Sequence, residues 1–336
     1  MEYRHKVMRG TVSIIINKAM RDIRSDPRRS IRNLVDLGEN FSSSAVQKHF
    51  FSLARQVLKN PDNPYNDLVV DLVENVRPEV LRTMSLNFGY TALNYGAETI
   101  RRHQQELGFM IPWILVFRLG GETEQRLSAE RISQLTAEAV SLGIYTFVFE
   151  ISDRSVLETV NSLCSQFGEA AFFVAAPAEA LSGVQASASA VPNLVLLGDM
   201  TGEESKAPEA FRYLKEKGCL YGFYARYNEE NASRLMSEPF LQSMCEYGCR
   251  IGAYVGGAGG ASPLEAQMYR FVCEKRGKKG EPIFTLDFYR DTGYIGNEMA
   301  CGGALVAEAD GTVPGFGKGL AENSLTALLS GAAGRD

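Results

Sequence analysis

The chain has 336 residues, of which 45% are hydrophobic. That is enough apolar material for one large α/β unit with extensions, while no apolar run approaches the ~20 residues of a membrane-spanning helix. A formal net charge of −5 argues against nucleic acid as the main ligand. Six scattered cysteines without a CxxC point to reduced thiols and a cytoplasmic setting.

Residues 1 to 33 carry nine basic side chains against three acidic ones. Val12, Ile15, Ile16 and Ile23 make the segment an amphipathic helix, interrupted near Asp26-Pro27. Such a helix either docks its apolar stripe on the body of the protein or meets a membrane surface or an acidic partner. Ile14-Ile15-Ile16 is too short a run for a signal-peptide core. Helical patterning continues to residue 106, broken at Asn60-Pro61-Asp62-Asn63-Pro64 and near Pro78, and defines an all-helical N-terminal section over 1–106.

From Ile111 the pattern changes to alternating strand and helix. Continuous apolar runs predict strands at Ile111–Leu119, Ile144–Ile151, Ala170–Ala175, Asn193–Leu197, Leu220–Arg226, Arg250–Val255 and Pro282–Asp287. Runs without period-two alternation suit strands covered on both faces. Helices are expected between them: from Ala129 behind an N-cap at Ser128, from Ser155 behind a cap at Asp153, at Pro208–Lys217, at Glu229–Tyr247, and from Leu264. The last opens with Ser262-Pro263-Leu264-Glu265, which joins a capping box to a proline at the first helical position. Six or seven βα units over 107–300 make a full or partial (β/α) barrel; a doubly wound sheet is the alternative. In the tail, 301–336, Asp310-Gly311 between Ala304–Glu308 and Thr312–Phe316 predicts a hairpin, and a helix is expected over Ala321–Leu329.

Several landmarks in this order resemble the radical S-adenosylmethionine (radical SAM) superfamily, in its clostridial-type members with a helical N-terminal extension. They are Asp26-Pro27, Asn87-Phe88-Gly89-Tyr90 with Asn94-Tyr95-Gly96, and Ile111-Pro112-Trp113 opening the first strand. Leu127-Ser128-Ala129-Glu130 through Leu142-Gly143-Ile144 follows, then Pro282-Ile283-Phe284 through Gly293 with Cys301-Gly302-Gly303, and finally Asp310 to Pro314. The resemblance implies a radical SAM-like barrel, a [4Fe–4S] cluster on CxxxCxxC after the first strand, and a GGEP-like turn after the second that contacts the methionyl amine. This chain departs at both places. Phe117-Arg118-Leu119-Gly120-Gly121-Glu122-Thr123 contains no cysteine, and the second strand ends in Glu150-Ile151-Ser152-Asp153. The nearest cysteine pair, Cys245 and Cys249, supplies two thiols where a cluster needs more. The expectation is a degenerate barrel with no metal and no cluster. It would be either a non-catalytic partner of an active radical SAM enzyme or a small-molecule-binding protein; the alternatives are a barrel enzyme with cluster-independent chemistry, or a binder of S-adenosylmethionine or a nucleotide through the Gly256–Ser262 loop.

Barrel ligands sit at the C-terminal ends of the strands. Arg118, Glu122, Glu150, Asp153, Asp199, Arg226, Asn228 and Asp287 fall there. Glu150, Asp199, Arg226 and Asp287 are the candidate catalytic residues, since converging carboxylates can hold a hard cation or move a proton. The same carboxylates can equally cap the next helix or pair with arginine. A second candidate is the loop Gly256-Gly257-Ala258-Gly259-Gly260-Ala261-Ser262, whose bare N–H groups ahead of a helix suit a phosphate or carboxylate. Its spacing is neither the dinucleotide nor the P-loop pattern, so a plain linker is the other reading. Tyr221, Tyr224 and Tyr227, at period three, cannot line one face of a strand.

Overall fold

The computed structural model describes residues 2–41, 45–60, 62–120, 126–152, 154–181, 191–202, 206–257, 262–276 and 282–332. The expectations for Glu122, Asp153, Gly259 and Gly260 lie outside these residues.

The N-terminal section is helical as predicted. It comprises α1 (Glu2–Ser25), α2 (Pro27–Phe41), α3 (Ala45–Leu58), α4 (Pro64–Asn75) and α5 (Pro78–Met84), a π-helix (Ser85–Gly96), and α6 (Ala97–Leu107). Asp26-Pro27 separates α1 from α2, because proline removes a backbone donor and restricts the residue before it. Asn63 caps α4 through a hydrogen bond from Tyr65 N, with Pro64 at the first helical position. Ile23, Ile31, Val35, Leu58 and Val73 form a small core among these helices. The sequence reads residues 85–96 as ordinary helix; the structure shows twelve residues of the wider π form.

Eight parallel strands follow: β1 (Pro112–Arg118), β2 (Thr146–Glu150), β3 (Ala171–Ala176), β4 (Leu194–Asp199), β5 (Leu220–Arg226), β6 (Ile251–Val255), β7 (Phe284–Asp287) and β8 (Gly302–Glu308). Their order, β7-β6-β5-β4-β3-β2-β1-β8, is sequential. A doubly wound sheet reverses direction at a switch point and is therefore excluded. Among the described residues β7 and β8 are not paired, so the fold is a partial (β/α) barrel with a helical N-terminal extension.

The helices between strands are α7 (Ala129–Leu142), α8 (Arg154–Gln166), α9 (Ala178–Leu181), α10 (Ala207–Glu216), α11 (Ala232–Leu235), α12 (Glu238–Glu246), α13 (Pro263–Lys275) and α14 (Phe288–Glu298); α15 (Leu325–Ala332) ends the chain. Ser128 caps α7 by accepting from Arg131 N at 3.1 Å, and the predicted capping box of Ser262 and Glu265 opens α13. The single helix expected over Glu229–Tyr247 is two, α11 and α12. Ser237 starts a new cap there and Pro239 sits in the first turn.

The predicted hairpin is corrected. Residues 302–308 form β8, which runs parallel to β1 from Pro112↔Gly302 to Arg118↔Glu308. The Asp310-Gly311 turn does form: Gly311 N donates to Glu308 O, Glu308 N donates to Thr312 O, and Gly311 has a φ of +86°. Thr312–Phe316 nevertheless forms no strand. β8 pairs with β1 along one edge; at its other edge, among the described residues, the returning segment bonds back to it at Glu308 and makes no ladder.

Each strand presents alternate residues to two apolar layers. The outer layer packs against the helices. The inner layer gathers Ala171, Ala175, Val195, Leu197, Leu220, Tyr224, Ala253 and Val255 around Val76, Val80 and Met84 from the α4–α5 region. The helical extension therefore inserts into the barrel. Leu220 and Ile251, at the starts of their strands, belong to this contact, so the plug fills the N-terminal end and leaves the C-terminal end as the mouth.

Candidate functional site at the barrel mouth

Register decides which strand-end side chains can meet. Arg118 lies opposite both Glu150 and Glu308, and Asp199 lies opposite Tyr224. Tyr224 belongs to the inner layer, and Arg226 shares its face two residues on. Tyr254, of the outer layer, is the partner of Asp287. Asp287 therefore faces outward, away from the other three predicted residues.

At the inner mouth the charged groups form one chain. Arg118 donates through Nη1 to Glu308 Oε1 at 2.9 Å and through Nη2 to the Tyr289 hydroxyl at 2.5 Å. Its Nε stands 3.6 Å from Glu150 Oε2. Arg226 donates through Nη2 to the same Glu150 oxygen, so one carboxylate joins two guanidiniums. The guanidinium of Arg226 lies 5.7 Å from the centre of the Tyr224 ring. Burial alone would lower the Arg226 pKa, but Glu150 and Tyr224 outweigh it and hold the group above its ordinary value. Burial, followed by the charge of Glu150, pushes the Tyr224 phenol far up. Among the described residues that hydroxyl has no hydrogen-bond partner, nor has Arg118 Nε.

Asp199 turns its carboxylate back to accept from Thr201 N at 2.9 Å, and the Thr201 hydroxyl accepts from Arg226 N. Its visible role is to shape the loop after β4. Asp287 caps α14 by accepting from Arg290 N at 3.2 Å and takes the Tyr227 hydroxyl at 2.9 Å. Burial raises its pKa. Asn228 accepts from Glu230 N and Asn231 N and closes the turn ahead of α11.

In the glycine loop, Gly256 backs onto the Tyr227 ring and Gly257 lies beside Glu265 Oε1. The capping box occupies the N–H groups of Ser262 and Glu265 and places a carboxylate at the helix start. An anion entering there meets that negative charge.

Sequence reasoning brought Glu150 and Arg226 to the mouth and passed over Tyr224, Tyr289 and Glu308. Glu308 carried the same signal as Glu150, an acidic residue ending an apolar run, but its segment was read as half of a hairpin. The cysteines lie elsewhere. Cys219 and Cys301 immediately precede β5 and β8 and Cys249 lies two residues before β6, at the opposite end of the barrel, while Cys164, Cys245 and Cys273 lie on α8, α12 and α13. Burial raises the thiols of Cys164, Cys249, Cys219 and Cys301, the last two to about 11. These residues do not fit an iron–sulfur cluster at the mouth, whose ligands must be thiolates close together.

No protein-family model matches the chain, and no curated protein does. Among solved structures, SuiB of Streptococcus suis bound to its precursor peptide SuiA aligns at 9% identity with a TM-score of 0.49, over 69% of this chain and 68% of that one. SuiB bound to S-adenosylmethionine gives 9% and 0.46, over 69% and 67%. Type I 3-dehydroquinate dehydratase of Clostridium difficile gives 11% and 0.39, over 62% and 88%. Likenesses this distant assign the chain to no family.

Proposed function

We propose that the chain is a radical SAM-like barrel without a cluster, which binds a small molecule carrying a carboxylate or phosphate at its mouth. The observation behind this reading is the chain Arg118–Glu150–Arg226 across β1, β2 and β5. By the sequence resemblance, cluster and methionyl contacts would belong at the ends of the first two strands. Here those ends carry Arg118 and Glu150, which form an ion pair, and Glu150 also holds Arg226. The Arg226 side chain is 36% exposed and gives one nitrogen to Glu150, so the rest of its fork faces the mouth. A guanidinium fork suits a planar carboxylate or a phosphate, and the buried Tyr224 hydroxyl adds a donor at the floor of the site. Glu150 and Glu308 balance the two guanidiniums, so the remaining nitrogens of the Arg226 fork, and not a net charge, hold the anion, with Glu150 fixing the fork in place. The group recognises and orients an anion.

The test has two arms. Iron, acid-labile sulfide and the ultraviolet–visible spectrum of anaerobically purified protein should show a colourless, iron-free sample; stoichiometric iron and sulfide would overturn the cluster-free reading. Thermal melts against S-adenosylmethionine, nucleotides and simple carboxylates should reveal a ligand that raises Tm. At a hundredfold excess over Kd the rise is roughly 3–4 °C, and it should vanish in Arg226→Ala. A Tm that no member of the panel moves would overturn the binding reading.

A further inference from the structure

Helix α1 is anchored on one side and open on the other. His5 is buried, stacked 3.8 Å from the ring of Tyr95, with Nε2 3.0 Å from Glu169. Arg9 donates to Thr91 and Asn87 of the π-helix, both at 2.5 Å. These contacts fix the rotation of the helix. At 100° per residue they leave Tyr3, Val7 and Ile14 on the far side in one line, about 16 Å long at 1.5 Å per residue. These side chains are 83%, 54% and 72% exposed, more than isolated surface apolar residues need to be. Arg4, Lys18 and Arg21, all exposed, flank the line. Gly10, beside it, opens onto empty space.

Charge sharpens the contrast. Residues 1–33 hold nine basic and three acidic side chains in a chain of net charge −5; Arg9 and Arg24 turn onto the body of the protein, and Arg4, Lys18 and Arg21 remain exposed beside the line. A second copy would cover this line by setting its acidic body on the cationic patch, and that occupant is an outcome of the test. A single convex helix offers no groove to hold a peptide. A narrow apolar line bordered by exposed cations suits a flat anionic bilayer, with the apolar side chains entering the headgroup boundary and the cations staying at phosphate level. We infer that the outer face of α1 docks the protein on an anionic membrane surface, peripherally and reversibly.

The experiment is co-sedimentation of the full chain with vesicles of phosphatidylcholine alone or mixed with phosphatidylserine. Pelleting is expected only with phosphatidylserine present, and it should be lost as salt rises to about 0.5 M. Two triple variants separate the contributions: Tyr3→Ser/Val7→Ser/Ile14→Ser, and Arg4→Gln/Lys18→Gln/Arg21→Gln. Each should weaken partitioning about 10- to 100-fold and leave Tm unchanged, because these side chains project into solvent. Absence of pelleting with anionic vesicles overturns the inference. So does pelleting that neither variant reduces, or sedimentation equilibrium showing the apolar line buried in a dimer. None of these outcomes depends on whether the barrel mouth binds its ligand.

Discussion

Glu150 accepts from Arg226 and stands 3.6 Å from Arg118 Nε, and both guanidiniums are partly buried. Replacing it with Gln leaves one oxygen to accept and turns an amide donor toward the other arginine. Removing one member of a buried ion pair costs about 3–5 kcal/mol. Solvent reaches this cluster, and screening reduces the expected loss for Glu150→Gln to about 1–3 kcal/mol. Glu308→Gln, on a rim carboxylate 35% exposed, should cost under about 1 kcal/mol. Urea unfolding of the two variants checks the ranking; equal losses would mean that Glu150 does not bridge the arginines. Asp287 makes the opposite case, because its burial penalises the charge. Its folded pKa lies above the ordinary 3.8, so its contribution to stability is fully present below that value and is lost as pH rises through the folded pKa. Asp287→Asn keeps an N-cap and the Tyr227 contact without the charge. It should match or exceed the native chain at neutral pH, and that advantage should shrink toward pH 4. Asp287→Ala should lose about 2–4 kcal/mol through the vacated cap and the orphaned phenol. Urea midpoints measured across this pH range test both. At this scale the sequence showed which charged residues end strands but not which face they take, because one residue of register moves a side chain to the other side of the sheet.

The π-helix ties three parts of the molecule together. Asn87, fully buried, donates to Gly168 O at 2.9 Å and Ala170 O at 2.7 Å while accepting from Arg9, so one side chain joins α1 to the approach to β3. Asn87→Ala removes the donor to the Gly168 carbonyl, leaves Ala170 O to Asn193 and leaves Arg9 to Thr91 and Glu169, and should cost about 1–3 kcal/mol. The loss should appear as faster hydrogen exchange in α1 as well as in the π-helix; exchange confined to residues 85–96 would show that Arg9 does not depend on it. At the other end of the element, Gly96 meets Gly143, the C-cap of α7, at a φ of +103°. A Cβ on Gly143 would lie 2.8 Å from Gly96 O. That glycine was legible as a helix stop, but the backbone contact it permits was not. Nor was the π form, since residues 85–96 carry the apolar spacing of an ordinary helix and the widening depends on what they pack against. The hairpin error has the same origin. Asp310-Gly311 is a genuine turn signal, but the partner of β8 lies far away in β1, and a local reading cannot see a non-local ladder.

Seven of the eight strands and the helical lead-in could be read from spacing and strand composition, whereas β8 and the relation between the two parts could not. Val76, Val80 and Met84 lie in the section predicted only as helical, and they fill the barrel interior. The extension thereby replaces side chains that the strands themselves lack there, where Ala171, Ala175 and Ala253 are small. The two parts should therefore unfold together. Trp113, the only tryptophan, is buried on β1 and lies 6.1 Å from the Phe88 ring of the π-helix; its Nε1 donates to Thr292 O of α14 at 2.9 Å. Its fluorescence reports on the contact between extension and barrel, while far-UV ellipticity reports on all the helices. In urea the two signals should trace a single transition with coincident midpoints. Met84→Ala, which truncates the plug, should move both midpoints together by about 2–4 kcal/mol of stability. Ellipticity that falls in a separate step while the Trp113 signal holds would mean that the helices and the barrel are independent, and that the contact between them is too weak to close the barrel's lower end.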